Sequence, residues 1–217
     1  MKAMNKQSVA HFCRLFAAGL SLIALCACSA LRLAATPPPA FYSLEGTRGA
    51  APAAASAAAP TLIINPPHAA AGFDSPRIIY VRETHKLEYF ARSEWVDPPA
   101  RMLAPLLVAA VENTGAFRAV VLAPSTAAGD LRLDTEIIRL QHEFRTQPSG
   151  VRFTLRAYLV DDKTRRVIAW REFDAAVPAT SDDPYGGVVA ANRAVQTVLE
   201  NLSAFCAEAA RGWRSDQ

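Results

Sequence analysis

VRFTLRAYL, residues 151–159, alternates without a break. Val151, Phe153, Leu155, Ala157 and Leu159 fall on one face of an extended chain, with Arg152, Thr154, Arg156 and Tyr158 on the other. A period of two marks a strand with one buried and one wetted face, as in an antiparallel sheet. The flanks repeat the pattern. Residues 131–144 alternate through Leu131, Leu133 and Thr135, then change phase at Ile137-Ile138, as a bulge or strand bend would. After a polar turn at 161–165, residues 166–177 return as a strand carrying Val167, Ile168, Trp170 and Phe173. Three long strands joined by short polar turns read as an antiparallel meander.

Two helices frame the meander. Asp97-Pro98 opens the first, an N-cap acceptor followed by a residue that lacks the N–H left unpaired at that position. Met102, Leu103, Leu106, Leu107, Ala110 and Val111 then recur at spacings of three and four, and Gly115 ends the run. Pro105 weakens or kinks this helix if it lies beyond the first turn. Asp183-Pro184 repeats the opening signal for a helix of residues 184–210, with Val188, Val195, Val198, Leu199, Leu202, Phe205 and Cys206 as its buried stripe. Upstream, TLII (61–64) is a brief strand stopped by Asn65-Pro66-Pro67. RIIYV (77–81) and KLEYFA (86–91) form a hairpin, and RAVVLA (118–123) is a short strand. The expected fold class is α+β, an antiparallel sheet with two helices packed on one face.

The N-terminal part has a different composition. Lys2, Lys6 and Arg14 precede an apolar or small stretch at 15–27, and no acidic residue occurs before Glu45. A basic leader with a short apolar core is an export signal, and the run falls short of the roughly 20 residues a spanning helix needs. Its end, Leu25-Cys26-Ala27 before Cys28, has the form of a bacterial lipobox: an aliphatic residue, two small ones, then the cysteine that becomes the lipidated N-terminus. Cys26 is the poorer candidate, because bulky Leu25 would precede it directly. The chain therefore divides into a lipoprotein signal peptide (1–27), an acylated N-terminus and Ala/Pro-rich tether (28–60), and an α+β domain (61–217). Within the tether every residue from 50 to 60 is Ala, Pro or Ser, a composition that cannot bury enough apolar area to offset chain entropy. FYSL (41–44) interrupts it with β-favouring aromatics and reads as a short strand added to the sheet.

Loss of the leader changes the charge. Lys plus Arg falls from 23 to 20, equal to the 20 acidic residues, so no basic field argues for nucleic acid. Of four cysteines only Cys206 keeps a thiol, within an apolar helical pattern, so no internal disulfide forms and Cys206 is a buried small hydrophobe.

A search for chemistry finds no catalytic constellation, cofactor loop or metal set. His142-Glu143 starts like a zinc-protease motif but lacks the second histidine, leaving His142 as an exposed strand residue. His68 and His85 fall in loops without ligand spacing. Asp182-Asp183 serves helix capping and Asp161-Asp162 turn formation. Arg152 and Arg156 line either a solvated sheet face or a site for acidic lipid headgroups or a partner. Trp95, two residues before the expected N-cap, is either a core plug wedging the helix start against the sheet or an exposed partner contact.

The segment YFARSEWVDPPARMLAPLLVAAVENTGAF (89–117) carries a resemblance. A tryptophan shortly before a proline-opened helix, then a leucine-rich helix ending in TGAF and a short strand, resembles the ABC-type transport auxiliary lipoprotein family. The lipobox, FYSL, the DSPRIIYVR strand, the alternating strands and the C-terminal helix with ANRAV follow the same order. The resemblance spans residues 41 to about 210; the Ala/Pro insertion at 50–60 departs from it. It implies a non-enzymatic periplasmic component of an envelope lipid transport system that pairs an ABC transporter with MCE-domain proteins. Ser29, where inner-membrane retention would usually place Asp, matches anchoring by acyl chains at the periplasmic face of the outer membrane. An alternative is a structural or assembly lipoprotein for lipopolysaccharide or β-barrel insertion. Because the helical stripes and one sheet face use up the apolar residues, binding is expected at a sheet edge or at the turns beside the first helix, not in a lipid-filled cavity. Such edges accept another strand, from a second copy in a homo-oligomer or from an MCE-domain partner.

Overall fold

A computed structural model describes residues 38–46 and 55–213. The signal peptide, Cys28 and the middle of the Ala/Pro tether lie outside the described residues. The compact unit runs from Pro39 onward.

Nine strands among the described residues join one sheet, with two helices. In chain order they are β1 (Ala40–Tyr42), β2 (Thr61–Ile64), β3 (His68–Ala69), β4 (Arg77–Val81), β5 (Glu88–Trp95), α1 (Pro99–Glu112), β6 (Ala119–Leu122), β7 (Leu131–Glu143), β8 (Gly150–Asp161), β9 (Val167–Pro178) and α2 (Pro184–Gly212). The fold is α+β, and β7–β8–β9 form the antiparallel meander that the alternation indicates. Along β7 the register shifts between Ile137 and Arg139, at the place where the hydrophobic phase changes. The β4–β5 hairpin is antiparallel.

The other edge of β7 is paired differently. Three short strands lie along it in succession, all parallel: β2 at Leu131, β3 at Glu136 and β4 at His142. β6 extends β2 in parallel, and β1 lies parallel to the end of β5, with Tyr42 opposite Trp95. The sheet is therefore mixed. Phe41 and Tyr42 of FYSL are part of it, with Leu44 following into the core, and His68 begins a two-residue strand rather than lying in a loop.

Each helix begins where proline dictates. Asp183 caps α2, accepting from the Gly186 N–H at 2.8 Å, and Pro184 follows as the first helical residue. α1 starts one residue later than expected: Pro98 is the N-cap, in extended geometry, and no side chain caps it. The reason is local. A residue followed by proline is pushed out of the helical region, so Pro98 before Pro99 cannot be helical. Asp97 instead pairs with Arg101 at 3.4 Å. Pro105 sits inside α1 on its exposed side, which leaves Leu103, Leu107 and Val111 free to bury completely. Gly115 turns the chain away with a φ of 64°, a left-handed conformation that glycine adopts without a Cβ clash.

One core holds the structure together. Phe153, Leu155, Ala157 and Leu159 of β8 are wholly buried, against Val195, Leu202 and Cys206 of α2 and the inward residues of β7. Burial pushes the Cys206 thiol up to about 12, so it packs as an apolar group. At the far end of α2, Trp213 donates its indole N–H to Asp161 at 3.1 Å, fastening the helix end to the end of β8.

Candidate functional site

The outer face of the meander is a lattice of cross-strand ion pairs. Arg156 lies opposite Glu172 and bonds it at 3.0 Å, with Glu136 on β7 at 3.7 Å. Arg152 reaches diagonally to Asp174, using Nε and Nη2 at 2.9–3.1 Å. That guanidinium, with the hydroxyl of Thr154 behind it, holds the Asp174 carboxyl below its usual range. Both arginines, candidates for a partner or headgroup contact, thus meet acids of their own sheet. The face is nearly neutral, and pairs this exposed contribute about 0–1 kcal/mol each.

Trp95 is 3% exposed. Its backbone N–H donates to the Pro76 carbonyl at 2.7 Å, and its ring borders a gap of about 10 Å³ with Ile78, Leu140, Val151 and Ala191. Four elements, β4, β7, β8 and α2, converge there. The indole is a core residue, out of a partner's reach in the folded domain.

His142 is buried, not exposed, at 2%. After the bulge the inward residues of β7 are Leu140 and His142, so the imidazole turns into the core beside Phe144, ring centroids 4.2 Å apart. Its Nε2 bonds the Ser149 hydroxyl at 2.8 Å, and that hydroxyl donates to Asp182. The serine, not the histidine, meets the aspartate, and Ser149 is itself buried, so this is no nucleophile–base–orienter relay. The network instead fastens the β7–β8 turn to the start of α2. Asp182 is therefore a turn acceptor, and Asp183 alone caps the helix.

The imidazole Nδ1 has no hydrogen-bond partner, and a Cβ on Gly187 would approach it to 2.5 Å. Burial holds the His142 pKa below 6.5, with Asp182 and Asp183 opposing. The unfolded chain therefore takes up the proton first. The stability is full above about pH 6.5 and declines as pH falls toward the depressed folded value. Melting temperatures measured between pH 8 and 5 should show this decline, and His142→Gln should flatten it. An equal decline in that variant would assign the effect elsewhere.

Strand β9 carries a feature the sequence reading did not single out. Val167 (54% exposed), Ile168 (40%) and Trp170 (62%) stand in solvent, and the Trp170 ring stacks on Tyr158 at 6.3 Å. The signal was present: Trp170 shares its parity with Ile168, Glu172 and Asp174, opposite to buried Phe173. β9 pairs with β8 on one side, and no described strand pairs with its other side.

Among the described residues no group of three or more His, Cys, Asp or Glu is placed to hold a metal ion. No described helix is long and apolar enough to cross a membrane. The larger cavities are surface grooves of about 240, 370 and 570 Å³, the last lined by Glu45, Asn192, Arg193 and Gln196 as well as by aromatics.

A family model described as the ABC-type transport auxiliary lipoprotein component matches residues 42–203. Among solved structures, the chain resembles protein XCC0632 from Xanthomonas campestris, at 25% identity and a TM-score of 0.70, covering 79% of this chain and 97% of that one. It also resembles the hypothetical protein CT253 from Chlamydia trachomatis in fold, at 8% identity and a TM-score of 0.52, over 72% of this chain and 100% of the other. No curated protein matches.

Proposed function

This chain belongs to the ABC-type transport auxiliary lipoprotein family, and on that premise we propose that it is a non-enzymatic docking component of an envelope lipid transport system. Acyl chains on Cys28 hold it at the periplasmic face of the outer membrane. The domain organises an MCE-domain protein there, and through it the ABC transporter, without carrying lipid itself.

The observation that supports this reading is the free edge of β9. It is a 12-residue strand whose outward N–H and C=O groups meet no other described strand. Proteins usually blunt such edges with unpaired charge, because they recruit other strands. Here Glu172 and Asp174 are neutralised by Arg156 and Arg152, while Val167, Ile168 and Trp170 stay exposed. An added strand would gain a ladder of main-chain hydrogen bonds and an aromatic anchor.

A photo-crosslinking residue at position 170 tests it in cells. The expected adduct is an MCE-domain protein, and Trp170→Asp should abolish co-purification of that protein. The stability should fall by no more than about 1 kcal/mol, the loss of the cross-strand stack on Tyr158. A dominant adduct with lipopolysaccharide-transport or β-barrel-assembly proteins would make it an assembly lipoprotein instead. The absence of any adduct would overturn docking at this edge.

A further inference from the structure

We propose that the end of the domain built from β1 and the start of α2 rests on the lipid surface, with Phe41 and Tyr185 in the headgroup region. This rests on the reading of Cys28 as the lipidated residue, and adds a second contact with the membrane that the acyl chains do not supply.

Three large apolar side chains stand in solvent at this end. Phe41 is 59% exposed, Tyr185 63% and Val96 59%. They are held close by the local structure. The Val96 N–H donates to the Tyr42 carbonyl at 2.8 Å, and the Tyr42 ring lies 6.5 Å from that of Tyr185. Phe41 and Tyr185 line the same groove of about 570 Å³, which Val189 and Arg193 also line. A phenylalanine and a tyrosine projecting from one rigid rim match the depth of a bilayer interface, where one end of a ring is apolar and the other wet.

The length of the chain selects lipid as the occupant. Ala40, the first residue of β1, lies twelve Cα–Cα steps along the chain from Cys28. Fully extended they reach about 40 Å, so this end of the domain stays within that distance of the bilayer whatever path the segment takes. Tethering on that scale gives an effective concentration in the millimolar range, at which a patch too weak to hold a free domain remains occupied. The exposed apolar group on β9 is set apart. Trp170 lies eight residues along β9 from Pro178, about 26 Å from the end that leads into α2.

Charge narrows the lipid class. Arg193 is the basic side chain of the groove and Glu45 its acidic one. Asp183 is committed to capping and Asp182 to Ser149. Among the described residues no basic cluster gathers here to select anionic headgroups, so a zwitterionic surface is sufficient.

The test uses the full-length lipidated protein in vesicles of phosphatidylethanolamine and phosphatidylcholine. An environment-sensitive dye is attached in turn to Phe41→Cys, Tyr185→Cys and, as a control in the β8–β9 turn, Thr164→Cys. Buried Cys206 leaves the introduced thiol as the site of labelling. The dyes at 41 and 185 should shift to the blue and be quenched by headgroup spin-labelled lipid, and the dye at 164 should not. Vesicles that float with the protein while both dyes stay unquenched overturn the contact and leave the anchor intact. A protein that does not float overturns the anchor and this contact together.

Discussion

Replacing Cys28 with Ala is expected to move the whole population of the protein from the membrane fraction to the soluble periplasm, while Cys26→Ala changes little. The effect is all-or-none because the anchor dominates. Each CH₂ buried in a bilayer contributes about 0.8 kcal/mol, so several acyl chains hold a near-neutral domain irreversibly. Without them the described residues offer neither a polybasic surface nor a helix that can span the membrane. The rim of Phe41 and Tyr185 acts only at the high local concentration that the tether provides. Fatty-acid labelling and flotation of both variants check this, and undiminished label in the Cys28→Ala chain would sink the assignment.

Trp95→Ala should cost about 3–5 kcal/mol, the range for removing a large buried aromatic. At about 2–4 °C per kcal/mol for a domain of this size, the melting temperature should drop by roughly 6–20 °C. The figure belongs at the upper end if the hole cannot collapse, and the surroundings argue that it cannot. Ile78, Leu140, Val151 and Ala191 approach the ring from four elements, three of them fixed by the ladders of one sheet. A Trp95→Ala protein that melts normally but loses its partner would show the core assignment to be wrong.

What the sequence reveals depends on how far each pattern reaches. The alternation in β8 is strict from Val151 to Leu159 because one face meets the core and the other carries the polar side chains of the ion-pair lattice, even Thr154, which is buried there under its bond to Asp174. The α2 stripe is as clear, since every residue named for it is buried. The bulge at Ile137-Ile138 is legible too, and it reverses the inward parity of the rest of β7. Inward positions are odd-numbered before it and even-numbered after it, which turns His142 toward the core with Leu140. The parallel pairings of β2, β3 and β4 left no comparable trace. Strands of two to five residues bear no pattern that tells which edge they take. For β9, Val167, Ile168 and Trp170 signalled a strand, and only the register with β8 shows that they face solvent. The order of motifs around Trp95 carried the family assignment further than any single residue could.

The arrangement on β7 also sets when the domain can fold. β2, β3 and β4 all precede the strand they share, and 69 residues separate Thr61 from its acceptor Asp130. In a chain delivered N-terminus first, these strands emerge with no ladder to join until residues 131–143 arrive. Closing such long loops precedes any reward from pairing, which slows folding, and bare strand edges are prone to aggregate meanwhile. The final helix, which covers the meander, emerges last of all. Maturation is thus concentrated at the end of translocation, and a chaperone that shelters unpaired strands would act in the interval before it.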